Sequence, residues 1–193
     1  MSPKNWLTVA AIIGCGSTAA MADGSIEIDL GGNLFSGYEI SSIGDYYAGE
    51  AHAGAKIISI DWSGLELVTF NNVGVPYYGS EALIGIEGED EFGSDSTFWF
   101  FPLPDANYQG TPDNPIVQDD PMSMNVESFG LHLDPMGGIG ALLTAAWNDG
   151  SGLDAGQWIN GVVTIHYEKI PAPGALALLA LAGVAGSRGR RRH

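Results

Sequence analysis

Positive charge is almost missing from the middle of this sequence. All 23 acidic residues lie between Asp23 and Glu168, and the only lysine or arginine in that stretch is Lys56, giving it a formal charge of 1 − 23 = −22. A surface of that sign repels phosphate backbones, which excludes nucleic acid as a partner. It suits solubility in salt, calcium ions or a cationic partner. Cysteine is nearly absent too. The single Cys15 sits in an N-terminal apolar run, so neither an intrachain disulfide nor a multi-thiolate metal site is available. The common catalytic signatures are also missing. There is no His-Glu-x-x-His, no Gly-x-Ser-x-Gly and no phosphate-cradling Gly-x-x-x-x-Gly-Lys. The histidines His52, His132, His166 and His193 show no metal-ligand spacing. The expectation is a protein that is not an enzyme.

Both ends carry signals of their own. Residues 1–22 combine Lys4, the apolar run Trp6–Ile13 and a small-x-small site, Ala20-Met21-Ala22, just before Asp23. This is the arrangement of a secretory signal helix cleaved after Ala22, which makes the export machinery and signal peptidase the first partners. Ile12-Ile13-Gly14-Cys15 offers the alternative of a lipid-modified cysteine.

Residues 23–170 alternate with period two and show no amphipathic helix. Ile26, Ile28 and Leu30 alternate with Glu27 and Asp29; Ile58, Ile60 and Trp62 with Ser59 and Asp61. Ser63-Gly64 reads as a break before a second run, Leu65–Phe70. Further strands are expected at Glu81–Glu87, at the aromatic run Ser96–Phe101 (suited to burial on both faces), at Met122–Leu133 with a bulge near Ser128, at Ala141–Trp147 and at Trp158–Ile170. Residues 41–54, 71–79 and the proline-rich 102–121 read as loops, the last long enough to be functional or mobile. Eight to ten short strands without helices predict an all-β fold, a single acidic jelly-roll-like β-sandwich.

Two candidate sites stand out in the body. Glu89, Asp90, Glu91 and Asp95 lie in the densest acidic run, and alternate carboxylates on a loop suit calcium, a hard ion that takes oxygen ligands. It is not an EF-hand loop: Phe92 stands where that loop needs glycine and Phe98 where it needs glutamate. Aromatic rings also admit sugar stacking. Trp62 and Trp99 fall on apolar strand faces and read as core, whereas Tyr77, Tyr78 and Tyr108 fall in loops and are the sugar-contact candidates.

The chain ends with Pro171-Ala172-Pro173, an apolar helix over 174–187 and a basic end over 188–193 with Arg188, Arg190, Arg191 and Arg192. A short transmembrane helix followed by arginines orients with those arginines in the cytoplasm. This three-part tail resembles the PEP-CTERM sorting signal of bacteria, a Pro-Glu-Pro motif, short apolar helix and arginine-rich end; Ala172 stands in place of the glutamate. The resemblance covers residues 171–193 only. It implies an exosortase-like partner, inner-membrane anchoring, then transfer to the cell surface or extracellular matrix, in association with exopolysaccharide. The function expected is therefore a noncatalytic, exported surface or matrix protein. Two alternatives are a carbohydrate-binding module with calcium as cofactor, and a surface glycoside hydrolase using paired carboxylates.

Overall fold

The computed structural model of the chain describes residues 24–36, 41–72, 75–147 and 154–169. Two long strands organise it, β4 (Lys56–Thr69) and β12 (Asp154–Glu168), paired antiparallel along their length. Each is long enough to take two short strands on its free flank. β1 (Gly24–Asp29) and β2 (Leu34–Ser36) line β12, while β10 (Met122–Asn125) and β9 (Ile116–Gln118) line β4. Register explains the sequence alternation: Ile28, Val163 and Trp62 share one row, Ile26, Ile165 and Ile60 the next, and all point inward. Glu27, Thr164 and Asp61 occupy the row between them and face outward.

The second sheet has the order β3 (Ser41–Tyr47), β11 (Gly138–Ala146), β7 (Ala82–Glu89), β8 (Asp95–Phe100) and is also antiparallel. A two-stranded ribbon, β5 (Asn71–Asn72) with β6 (Val75–Pro76), stands apart. Ile84, Ile86, Leu142 and Phe100 from this sheet meet Ile28, Ile60, Leu65 and Trp158 of the first in one core. Each such fully buried apolar side chain contributes about 1.5–3 kcal/mol. A polar link crosses that core. The buried Trp158 indole donates to Thr144 Oγ1 at 2.9 Å, and that hydroxyl donates to the Leu83 carbonyl at 3.2 Å. The fold is an all-β sandwich of two antiparallel sheets.

Four sequence expectations need correction. Ser63-Gly64 does not end a strand. Gly64 takes φ +59° and the facing register slips around Asn160 and Gly161, so β4 continues and Leu65 and Leu67 turn inward after Trp62. Residues 41–54 are not all loop: β3 forms because Ile43 and Tyr46 pack against the core and β11 supplies its ladder, overriding weak local propensity. The segment 102–121 is not loop throughout: Ile116–Gln118 is β9, and part of the rest is anchored. Pro102, Leu103, Ala106, Gly110 and Ile116 are buried, and Gly110 is tied to Thr69 by bonds of 3.0 and 3.1 Å. Finally, the alternation over 129–133 is not a strand of one sheet. Glu127–Phe129 is a 3-10 turn closed by Gly130 at φ +66°. Beyond it, Leu131 and Leu133 bond to Ile57 and Ala55 of the first-sheet side, while His132 exchanges bonds of 2.8 and 2.9 Å with Glu89 of β7. This short stitch joins the two sheets.

The described residues include three 3-10 turns but no α-helix, and no helix long and apolar enough to cross a membrane. The expected signal and tail helices lie outside the described residues.

Candidate functional site

The acidic run forms the β7–β8 hairpin and its turn. Asp90 Oδ1 accepts from the backbone N–H groups of Phe92 and Ser94, both at 2.9 Å, so one carboxylate oxygen shapes the turn. Glu89 pairs across the ladder with Asp95, setting two like charges face to face. Beside the hairpin is an open cleft of about 770 Å³, lined by Lys56, Glu89, Asp90, Glu91, Glu127 and His132. Lys56 is held there by Glu127 at 3.1 Å. His132 lines the same cleft, and its buried Nδ1 has no hydrogen-bond partner. Among the described residues no group of three His, Cys, Asp or Glu is arranged to hold a metal ion. The hairpin thus brings Glu89, Asp90 and Glu91 to one cleft, leaves Asp95 on the ladder, and presents no assembled calcium cage.

The tyrosine candidates separate. Tyr77 is 0% exposed and belongs to the core, so its ring cannot meet a sugar. Its neighbour Tyr78 and the more distant Tyr108 are exposed, and their loops are joined by the Gly79 N–H to the Tyr108 carbonyl at 3.2 Å and by Ser80 Oγ to Asn107 Oδ1 at 3.0 Å. Tyr108 borders a small hollow of about 170 Å³. Ala20, Ala22, Pro171, Ala172, Pro173, Arg188, Arg190, Arg191 and Arg192 lie outside the described residues.

Two features escaped the sequence reading. On the outer face of the first sheet, His166 Nε2 lies 2.7 Å from Asp61 Oδ2, with Ser25 and Ser59 in register beside the histidine. Neither serine is hydrogen-bonded to the imidazole, and the pair sits on an open sheet face, so the nucleophile–base contact of a hydrolytic triad is not made. The second feature is the outer face of the second sheet. Trp99 is not core: it lies on the row Trp99–Gly85–Leu143, pointing away from the sandwich. With Leu83, Phe101, Ala145 and Trp147 it encloses an apolar depression of about 320 Å³. Trp147 is 71% exposed and Phe101 42%. Strand parity was the available signal, since Trp99 alternates with Phe98 and Phe100 and must point the other way. Trp62 is the true core member, its indole donating to the Pro102 carbonyl at 3.2 Å.

No known protein family and no curated protein matches the chain. Among solved structures, one similar chain is from tomato aspermy virus, determined by X-ray crystallography, at 12% identity and a TM-score of 0.30 over 78% of this chain and 80% of that one. A likeness at that level carries no argument.

Proposed function

We propose that the chain is an exported, noncatalytic surface or matrix protein of a bacterium: a jelly-roll-like acidic body between a cleaved signal helix and a membrane-anchoring, exosortase-processed tail. The charge map carries this reading. A body of formal charge −22 lies between an apolar N-terminal run led by Lys4 and an apolar C-terminal run ended by four arginines. The positive-inside rule counts lysine and arginine, and four arginines after the apolar run, against Lys56 alone between Asp23 and Glu168, fit a body that is exported while the arginines stay behind. The association expected from the tail is with exopolysaccharide. The noncatalytic part is supported by how the cleft carboxylates are used, Asp90 in its turn and Glu127 on Lys56. Fractionation and intact mass test the proposal. Membrane or extracellular protein beginning at Asp23 is expected, with or without loss of the tail. Cytoplasmic protein with Met1 intact overturns it, and mass added at Cys15 replaces cleavage after Ala22 by lipidation.

A second reading, a carbohydrate-binding module with calcium as cofactor, is favoured by the exposed Tyr78 and Tyr108 in adjoining loops, with Glu81 accepting from the Tyr78 N–H at 2.8 Å and Asp105 lining one hollow with Tyr108. A glycan array read with and without chelator decides it: binding lost on chelation supports calcium, binding in both conditions supports sugar alone, and none in either removes the reading.

A further inference from the structure

We propose that the outer face of the second sheet is a stacking surface for an uncharged polysaccharide, with Trp99 and Trp147 as the rings against which sugar residues lie. The inference rests on the polysaccharide-associated reading above and places the contact on strands, away from the loop tyrosines.

The geometry of Trp99 is the first observation. A Cβ added at Gly85 would stand 2.8, 2.8 and 2.9 Å from Cε3, Cζ3 and Cη2 of the Trp99 ring. Three neighbouring ring atoms at nearly one distance from that point place it over a face of the six-membered ring. One face of the indole therefore covers Gly85 and the other is turned away from it. Any residue larger than glycine at position 85 would lift it. The missing side chain is therefore what lets the ring form a platform.

Exposure and chemistry follow. Trp147 and Phe101 leave large apolar surface in water next to that platform. A soluble protein seldom keeps a contiguous patch of this kind without a use for it. The depression they form with Trp99 falls within the roughly 300–1,000 Å³ of small-ligand sites. A pyranose ring matches such a surface: its axial C–H groups give it an apolar face, while its hydroxyls project at the edge. One row along the sheet, Thr97, Glu87 and Ala141 are in register. The Glu87 side chain lies over Gly140, where an added Cβ would be 3.3 Å from its Cγ. That row supplies acceptors for edge hydroxyls.

Charge selects among occupants. The rows described contain one carboxylate and no lysine or arginine, and the body carries −22. An anionic polymer, an anionic bilayer and a second copy of this chain are all repelled as they approach. A cationic partner is attracted to the body but finds only Glu87 to pair with in these rows, whereas an uncharged glycan needs no charge on them.

The test is affinity electrophoresis of the full chain, held in mild detergent, through native gels containing hydroxyethyl cellulose, galactomannan or dextran, with alginate as the anionic control. Retardation by at least one uncharged polymer and none by alginate is expected. Trp147→Ala and Trp99→Ala should each weaken retention about tenfold, the loss of one stacked ring, while Phe92→Ala, at the exposed hairpin turn, leaves it unchanged. Trp147→Ala, at an exposed position, should keep the wild-type melting temperature, which separates lost binding from lost folding. The proposal is overturned by retention that survives both tryptophan substitutions, or by retention lost with Tyr108→Ala alone; either outcome leaves the polysaccharide-associated reading standing at another site. No retention in any uncharged gel overturns the proposal, and none in any gel, alginate included, overturns the polysaccharide-associated reading with it. Retention by alginate overturns the charge argument. A dimer on sedimentation, or binding to phosphatidylcholine vesicles, that Trp147→Ala abolishes would assign the face to a second copy or to lipid instead.

Discussion

Replacing Thr144 by valine is a substitution whose sign separates two accounts of the core. Thr144 is fully buried, accepts from the Trp158 indole at 2.9 Å and donates to the Leu83 carbonyl at 3.2 Å. Valine has nearly the same shape and is more apolar, so burial alone predicts a gain in stability. Hydrogen bonding predicts a loss. The indole N–H is left buried without an acceptor, at about 1–3 kcal/mol, and a second bond worth about 0.5–1.5 kcal/mol disappears. With about 0.8 kcal/mol returned by the added apolar burial, the net expectation is a loss of about 1–4 kcal/mol, or roughly 3–12 °C in melting temperature for a body of this size. Thr144→Ser keeps the hydroxyl and removes one methyl, costing about 1 kcal/mol; it should be milder than Thr144→Val. Urea and thermal unfolding of the full chain, followed by near-ultraviolet circular dichroism, read both. Combining Thr144→Val with Trp158→Phe should give a sum smaller than its parts by about 1 kcal/mol or more, because the second change removes the stranded donor. A neutral or stabilising Thr144→Val, or strict additivity in the cycle, refutes the view that this link holds the two sheets in register.

Other expectations follow from single positions. Gly137 has φ +76° and an added Cβ would fall 2.0 Å from the Gly49 carbonyl oxygen, whereas Gly130 has φ +66° and nothing within 4 Å. Gly130→Ala should cost about 1–2 kcal/mol of left-handed strain, and Gly137→Ala at least about 1 kcal/mol more; equal costs in urea titration would deny the close approach. Asp95→Lys replaces a like-charge pair with Glu89 by an attractive one and should stabilise by about 0.2–1 kcal/mol, a gain that shrinks in high salt. Burial pushes the Tyr167 phenol up from its ordinary value. Its contribution is complete below that ordinary value, about pH 10, where folded and unfolded chains both hold the proton. It is lost as pH rises through the folded value, because the unfolded chain ionises first. Tyr167→Phe should therefore lose less stability than wild type between neutral and strongly alkaline pH, and parallel curves would contradict this.

Much of the fold was legible because strand alternation is a local signal. Ile26, Ile28, Val163, Ile165 and Tyr167 point inward as their spacing requires, since successive side chains of a strand must alternate. The errors fall where partners lie far apart in sequence. Gly64 looked like a terminator, yet opposite Asn160 and Gly161 it is a bulge, and a bulge exists only in relation to its partner strand. Leu131 and Leu133 alternated correctly, but their backbone groups and those of His132 bond to different sheets, which no periodicity records. Residues 102–121 looked unstructured because proline removes ladder donors. Their burial comes from covering the end of the core beside Thr69 and Trp62.

The candidate site was harder to read for a related reason. Parity states which side chains share a face; it does not state what that face meets. Phe98, Trp99, Phe100 and Phe101 are apolar on both parities, and such a run has two physical solutions. Either a second layer covers the outer face, as in a parallel sheet between helices, or the outer face is left for something that is not part of the fold. A sandwich provides only one interior. Phe98 and Phe100 take it, so Trp99 and Phe101 must turn outward. Gly85 then becomes intelligible: a glycine in mid-strand weakens the strand, and here it leaves the space that a face of the Trp99 ring covers. The reverse holds for Tyr77, which loop position placed at the surface and the fold places at 0% exposure. In a two-layer protein, surface aromatics that deserve functional weight are those whose parity opposes the core, and Gly85→Ala tests that rule at one atom's cost. It should lift the Trp99 ring and weaken polysaccharide retention as Trp99→Ala does, while the inward Ile84 and Ile86 keep their packing. Retention unchanged in Gly85→Ala, with an altered Trp99 fluorescence to prove that the ring has moved, would separate the placement of the indole from any role in binding.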